Sequence, residues 1–338
     1  MKLFGVALLG CGRMGLEHAR TLNGIGNVKV VAVADPHAEA RAAAKALTRA
    51  EFDFVNPEDA ITAPGVDVVL IVTPTPTHAP LIEAAARAGK AIFCEKPVAL
   101  DLARTKAALE VVRQAGVPFQ IGFNRRFDPP FALAKQKLLA GELGEIRQFR
   151  ATGRDPAPPP LEYLSISGGQ FIDQAVHDLD IARFLVGEVD EVLVWGTAHN
   201  PEIAALSDSD TTTTLLRFKN GAIGVIENSR TSAYGYDVST EIFGTHGKLA
   251  LDATPKTPLW HYGQTPDGTG QLSADHYHFF MDRFAVAYKL ELEAFFKSLE
   301  AGTPPNPSSD DAYQSLRLAV AVTRSYKEKR AVRLEEVV

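Results

Sequence analysis

Cysteine is scarce: Cys11 and Cys94 are the two thiols in 338 residues. Two cysteines cannot build a disulfide framework or a zinc cluster, so a reducing cytoplasm is the expected compartment. A basic excess is also missing. Against 41 Asp and Glu stand 35 Lys and Arg, a formal charge of −6, which gives no footprint for nucleic acid. Small anionic ligands stay possible, since they need only a local positive site. No apolar run approaches the ~18 residues of a membrane span, so no membrane partner is expected. The opening Met1–Leu9 is apolar but short, and it leads into a glycine motif rather than a cleavage site. Repeats and low-complexity tracts are absent. What is present is a globular composition, 46% hydrophobic and 22% charged. The length suits about two domains, with a core that needs neither disulfide nor structural metal.

The first third alternates short apolar runs with helix-period segments, the pattern of parallel βαβ units. Leu3–Leu9, Lys29–Ala34, Val66–Val72, Ala91–Cys94 and Phe119–Ile121 read as strands, with a weaker one at Phe52–Val55. Burial on both sides explains why they are apolar throughout. Met14–Leu22, Ala38–Ala46, His78–Ala88 and Leu102–Gln114 read as helices, the last capped by Asp101 and stopped by Gly116. After Gly122 the texture changes. Asp128–Leu139 and Gly168–Leu185 read as helices, followed by strands at Val189–Ala198, Thr211–Phe218, Ala222–Ser229, Val238–Phe243 and Lys248–Leu251. Turn signals fall at Lys219-Asn220-Gly221 and His246-Gly247, and Pro156–Pro160 forms a stiff loop. Phe279–Glu300 and Asp310–Lys329 close the chain as helices. The expected architecture is an α/β doubly wound parallel sheet over residues 1–122, then an α+β domain over 123–338 with an open, mostly antiparallel sheet carrying helices on one face.

Gly10-Cys11-Gly12-Arg13-Met14-Gly15 is G-x-G-x-x-G between a strand and a helix, the context that makes the pattern informative. Gly10 permits the turn, Gly12 admits a pyrophosphate, and Gly15 lets the helix pack on the strand. Gly10, Gly12, Arg13 and Met14 are the predicted cofactor contacts, with the helix N-terminus offering N–H groups to phosphate. Asp35 lies 20 residues beyond Gly15, at the end of the second strand. Its carboxylate suits the adenosine ribose and repels a 2′-phosphate, which favours NAD over NADP. A plain glycine turn with an exposed Asp is the competing reading. Cys11 occupies a variable loop position and is read as inert.

Ligands of such sheets bind beyond the carboxyl ends of the strands. Thr73-Pro74-Thr75-Pro76-Thr77-His78 follows one strand and Cys94-Glu95-Lys96-Pro97 ends another. Thr73, Pro74, Thr75, His78, Glu95 and Lys96 are therefore predicted cofactor-side residues, although a Lys-Pro pair is often mere surface. Asp173 and His177 are four apart in a predicted helix, so they share a face. Oxidation of a secondary alcohol needs a base for the hydroxyl proton, and histidine, with a pKa of about 6.5, suits the task. An i,i+4 pair without chemistry is the alternative; a metal site lacks further ligands nearby. His276-x-His278 resembles a metal pair but reads as loop residues at an interface.

These motifs are similar to those of the glucose–fructose oxidoreductase and inositol dehydrogenase (Gfo/Idh/MocA) family over nearly the whole chain. The broad marks are Gly10–Gly15, Glu95-Lys96-Pro97, and Gly168-Gly169 leading to Asp173-x-x-x-His177. The more selective ones resemble inositol 2-dehydrogenases: Gly122–Asp128, Arg154-Asp155-Pro156, Ile226–Arg230, Tyr234–Asp237 and the helix His177–Leu185. The resemblance implies NAD-dependent oxidation of a cyclitol ring hydroxyl, foremost myo-inositol, with the hydride passing to nicotinamide C4. It implies His177 as general base, Asp173 orienting it, and Lys96 polarising the substrate oxygen across a cis Lys96–Pro97 bond. Asn124, Arg126, Asp155 and Tyr236 are placed around the hydroxyls, with Arg126 and Asp155 equally open to a structural salt-bridge role. A buried polyol needs matched partners, because an unpaired polar group costs about 1–3 kcal/mol. Homo-oligomers, dimers or tetramers through the second-domain sheet, are also implied. The rival substrates are scyllo-inositol or an aldose such as glucose; the rival class is a non-catalytic NAD-binding regulator. Asn200–Ser209 fits no pattern and has no assigned role.

Overall fold

The fold comes from a computed structural model that describes residues 2–252, 256, 260–265, 268–273 and 277–337. The chain divides into two compact units. One comprises residues 1–127 and 286–317, the other residues 128–285 and 318–337.

The first unit carries six parallel strands: β1 (Phe4–Leu9), β2 (Val28–Ala34), β3 (Phe52–Phe54), β4 (Val68–Ile71), β5 (Ala91–Glu95) and β6 (Phe119–Gly122). Their order is β3-β2-β1-β4-β5-β6, the doubly wound arrangement whose ligand crevice lies beyond the carboxyl ends of β1 and β4, where the strand order reverses. β1, β4 and β6 are buried at every residue, as the uninterrupted apolar runs predict. Helices α1 (Arg13–Asn23), α2 (Ala38–Thr48), α3 (Pro57–Ile61), α4 (His78–Arg87) and α5 (Leu102–Ala115) connect the strands. Asp101 caps α5 by accepting from Arg104 N–H at 2.7 Å, and Gly116 ends it with φ +65°. A single cut near residue 122 misses one feature. Phe295 and Phe296, more than 170 residues later, belong to the core of this unit, where their rings meet Phe93 and Phe4 at 5.7 Å.

The second unit is built on a seven-stranded sheet. In chain order its strands are β7 (Ile146–Arg154), β8 (Val189–Thr197), β9 (Thr211–Phe218), β10 (Ile223–Ser229), β11 (Asp237–Gly244), β12 (Gly247–Leu251) and, near the end, β15 (Val332–Arg333). β13 (Trp260–Thr265) and β14 (Gly268–Ser273) form a separate hairpin. The sheet order is β12-β11-β7-β10-β9-β8-β15. Every neighbour is antiparallel except β7 and β10, which run parallel, so the sheet is mixed. Sequence reading passed over β7, as it did β13, β14 and β15. The arginines of β7 suggest surface, yet Phe149, Ala151 and Gly153 alternate inward, while Arg150 and Arg154 on the other face reach Glu227 of β10 at 3.8 and 3.3 Å.

The helices of this unit are α6 (Pro129–Leu139), α7 (Leu161–Ile166), α8 (Gln170–Asp173), α9 (Val176–Val186), α10 (Pro201–Ala205) and α11 (Phe280–Arg283); α12 (Ala285–Ala301) and α13 (Ser309–Glu328) follow. The single helix expected over Gly168–Leu185 is broken. Gly168 and Gly169 have φ of +88° and +85°, and the chain steps out of register at Gln174–Ala175, where Ala175 N–H bonds back to Gln170. At this step the Gln174 side-chain amide donates to Asp155 and to the Ser229 carbonyl, both at 2.7 Å. The helix expected over Phe279–Glu300 is likewise interrupted, at Phe284. Among the described residues no helix is long and apolar enough to cross a membrane.

Candidate active site

In the first unit β1 delivers the glycine loop. Gly10 has φ +94°, and a Cβ there would lie 2.6 Å from the Val72 carbonyl oxygen. A Cβ on Gly15 would lie 2.0 Å from the Gly10 carbonyl oxygen, so α1 sits on the turn more closely than any side chain allows. Gly12 differs. A Cβ there meets nothing within 4 Å, and α1 starts after it without a side-chain cap. Open space over an uncapped helix N-terminus is what a pyrophosphate requires.

Asp35 is tied to the same loop. Its two carboxylate oxygens accept from Cys11 N–H and His37 N–H, each at 2.8 Å. Each oxygen keeps a second lone pair for ribose hydroxyls. Cys11 thus matters through its backbone. Burial, with the Asp35 charge, pushes its thiol up to about 12, and burial raises the Cys94 thiol as well. Arg13 is exposed and Met14 half-buried at the start of α1.

Thr73 and Pro74 follow β4 into the short turn Thr75–Thr77, where Thr77 donates to the Thr73 hydroxyl at 2.6 Å. His78 is another of the expected cofactor-side residues. It is buried, with its ring nitrogens 2.6 Å from the Thr73 carbonyl and 2.7 Å from the Pro97 carbonyl. The ring lies between the Thr73 and Pro97 turns, and burial lowers its pKa. The Glu95 carboxylate is likewise engaged, 2.7 Å from His18 Nε2. Burial pushes the Glu95 carboxyl up, but the hydrogen bond and charge of His18, with the Lys96 charge, hold it below its ordinary value. His18 is fully buried in α1 beside Phe93 and Tyr288. Sequence reading missed it because a lone histidine on an apolar helix face carries no signal. Lys96 is half-buried, and the Lys96–Pro97 bond is cis, as the resemblance implied.

Asn124 and Arg126 are buried in a short turn after β6. Arg126 donates to Asp311 at 2.9 Å, which realises the salt-bridge alternative left open for it. Burial pushes the Asp311 carboxyl up, yet the Arg126 charge and bonds from Ser308 reverse this and leave it below 3.8.

The second unit positions the remaining residues. Asp173 ends α8 and His177 is the second residue of α9, so the shared helix face expected for them is interrupted. Tertiary contacts fix Asp173 instead: the Tyr163 hydroxyl donates to one carboxylate oxygen at 2.8 Å and Arg230 to the other at 3.2 Å. Asp155 accepts from the Gln174 amide. Tyr236 is buried, its ring edge-on to Phe284 with centroids 6.2 Å apart. Tyr163, Gln174 and Arg230 went unassigned from sequence because contacts spanning up to 57 residues leave no local spacing. Among the described residues no three His, Cys, Asp or Glu side chains gather as a metal would need; His276 lies outside those residues.

Residues 4–123 match the NAD-binding Rossmann fold of the oxidoreductase family, and residues 131–250 match the GFO/IDH/MocA C-terminal domain. The chain belongs to the GFO/IDH/MocA oxidoreductase family. Two relatives within it extend end to end. A myo-inositol 2-dehydrogenase from Thermotoga maritima is 39% identical over 98% of this chain and 99% of its own. An inositol 2-dehydrogenase from Rhizobium meliloti is 41% identical over 96% and 97%. A scyllo-inositol dehydrogenase from Lactobacillus casei, solved with NAD(H) and scyllo-inositol, superposes with a TM-score of 0.91 at 28% identity, covering 99% of this chain and all of that one. The first unit of this GFO/IDH/MocA protein is therefore its NAD-binding domain, which agrees with the glycine loop and with Asp35.

Proposed function

We propose that this chain is an NAD-dependent inositol 2-dehydrogenase that oxidises one ring hydroxyl of a cyclitol, foremost myo-inositol. The observation that carries the reading is the joint presence of a pinned ribose carboxylate, Asp35, with Lys96, Asp173 and His177, in a chain related end to end to inositol 2-dehydrogenases. NAD would be held by Gly10, Gly12, Arg13, Met14, Asp35 and Thr73–Thr75, and when bound it accepts the hydride of the reacting carbon. His177 takes the hydroxyl proton, so the alcohol loses hydride and proton together and becomes a ring ketone. Asp173, held by Tyr163 and Arg230, orients the imidazole and stabilises its protonated form. Lys96 donates a hydrogen bond to the reacting oxygen, and Glu95, with its neighbour His18, steadies the turn that carries it. Asn124, Asp155 and Tyr236 match the other hydroxyls, with Arg126 beside them on Asp311.

Purified protein should form NADH with myo-inositol, and a panel including scyllo-inositol and pyranoses, ranked by kcat/KM, identifies the preferred ring. Lys96→Ala should abolish turnover while retaining NAD binding. Cofactor binding without turnover on any polyol would instead make the chain a nicotinamide-sensing regulator.

The same reading includes a homo-oligomer formed through the open face of the seven-stranded sheet. Leu193, Leu215 and Val225 face one another across β8, β9 and β10. Trp195 is 70% exposed at the end of the adjoining row, and Leu215, Ile223 and Phe243 are also exposed. An apolar patch of this kind marks an interaction surface. Two buried, protonated thiols suit a cytoplasmic location.

A further inference from the structure

Arg230 is an unusual group to bury. Its guanidinium is 0% exposed, and neither Nε nor Nη2 has a hydrogen-bond partner. A buried cation persists only if carboxylates compensate it. One is Asp173, at 3.2 Å from Nη1. The other is Asp208, whose Oδ2 lies 3.9 Å from Nη2, close enough for charge but too long for a hydrogen bond. That oxygen is itself buried without a partner. Asp208 belongs to the 200–209 segment, which had no role in the sequence. The segment is anchored through its other groups: Asp208 Oδ1 accepts from Gln170 N–H at 3.0 Å, and the Ser209 hydroxyl donates to the Gln170 side chain at 2.7 Å.

We infer that Arg230 and Asp208 are positioning residues that together set how much carboxylate charge Asp173 presents to His177. This rests on the acid–base roles proposed above. Arg230 divides its charge between two anions. The more it leans on Asp208, the less it neutralises Asp173, and the more strongly Asp173 favours protonated His177. Titratable groups that face the cluster include the Tyr163 hydroxyl on Asp173, Tyr326 of α13, whose pKa is raised by burial and by the Asp208 and Asp210 charges, and Asp155, joined through Gln174. Asp210 has its own donors, Asn200 N–H and the Thr211 hydroxyl, which leaves Asp173 and Asp208 as the carboxylates that lie within 4 Å of the Arg230 guanidinium.

The test is the acid limb of kcat/KM against pH in the intact enzyme, which reports protonation of the base in the free enzyme. Asp208→Asn keeps the oxygen that accepts from Gln170 but removes the competing charge. Arg230 then neutralises Asp173 more fully, and the limb should move to lower pH by on the order of half a unit. Arg230→Gln should move it up by a similar amount. A purely structural role would lower activity in both variants and leave the limb in place, and that result overturns the inference. If Arg230→Gln does not fold, Asp208→Asn decides alone: a downward shift supports the inference and an unmoved limb overturns it. Asp173→Asn separates the two claims. A limb that moves in Asp173→Asn but not in Asp208→Asn removes the Arg230–Asp208 device and leaves the acid–base reading intact. A limb unmoved in Asp173→Asn overturns the reading of Asp173 itself.

Discussion

Replacing Gly12 by alanine should separate folding from cofactor binding. A Cβ at Gly12 meets no heavy atom within 4 Å, and the backbone φ of −70° suits an L-residue. The folded chain therefore accepts the methyl group, and reduced freedom of the unfolded chain adds about 0.4–1 kcal/mol of stability. Gly15→Ala is the contrasting case. Its Cβ would lie 2.0 Å from the Gly10 carbonyl oxygen, where ordinary contact begins at 3.4 Å. α1 must then move off β1, at a cost of about 1–3 kcal/mol or more. The open space over Gly12 is where the pyrophosphate approaches the backbone, so the methyl group that folding tolerates should block binding. At NAD of a hundred times Kd, wild type gains about 2.7 kcal/mol of stability by mass action; a hundredfold weaker site gains about 0.4. Thermal unfolding with and without NAD reads both effects, and calorimetric titration checks the affinity. Gly12→Ala should match or exceed the wild-type Tm without NAD and lose most of the NAD-induced rise. Gly15→Ala should melt early even without cofactor. Wild-type NAD affinity in Gly12→Ala would refute the reasoning, because the phosphates would then lie elsewhere.

Asp35→Ala should lower kcat/KM with NAD and raise the ratio of NADP to NAD use; it also strands the Cys11 and His37 amides, each worth about 1–3 kcal/mol if left without an acceptor. An unchanged ratio would remove Asp35 from the ribose. Asp311→Asn leaves the buried Arg126 without its carboxylate and should cost about 3 kcal/mol at neutral pH. Because the folded pKa of Asp311 is depressed below 3.8, its stabilisation is present above that value and fades as pH falls below it. Urea unfolding of wild type and variant should therefore converge in acid, and a gap that stays constant with pH would contradict the pairing. Trp195→Glu together with Leu215→Glu, on the exposed sheet face, should yield monomers by light scattering; an unchanged mass would move the interface elsewhere.

Local signals read well wherever one residue type answers one backbone demand. The apolar runs of β1, β2, β4, β5 and β6, the Asp101 cap and the Gly116 stop all appear where spacing puts them. Gly10, Gly12 and Gly15 each show the geometry their positions in the motif require. Reading failed where long-range partners override a local pattern. β7 hides its alternation under arginines that are paired across the sheet with Glu227. The helix carrying Asp173 breaks at Ala175, whose N–H returns to Gln170, while the Gln174 side chain is tied to Asp155 and the Ser229 carbonyl, 19 and 55 residues away.

The cofactor domain, its glycine turn and the family were legible in the amino acids alone, because glycine sterics and strand burial are written in nearest neighbours. The partners around the candidate site came only with folding. It set His18 on Glu95, His78 between two turns, Arg126 on Asp311, and Arg230 between Asp173 and Asp208. Those pairs join residues from 5 to 185 positions apart. The cost of burying a charge selects such partners only after the chain has folded, so no spacing in the sequence announces them.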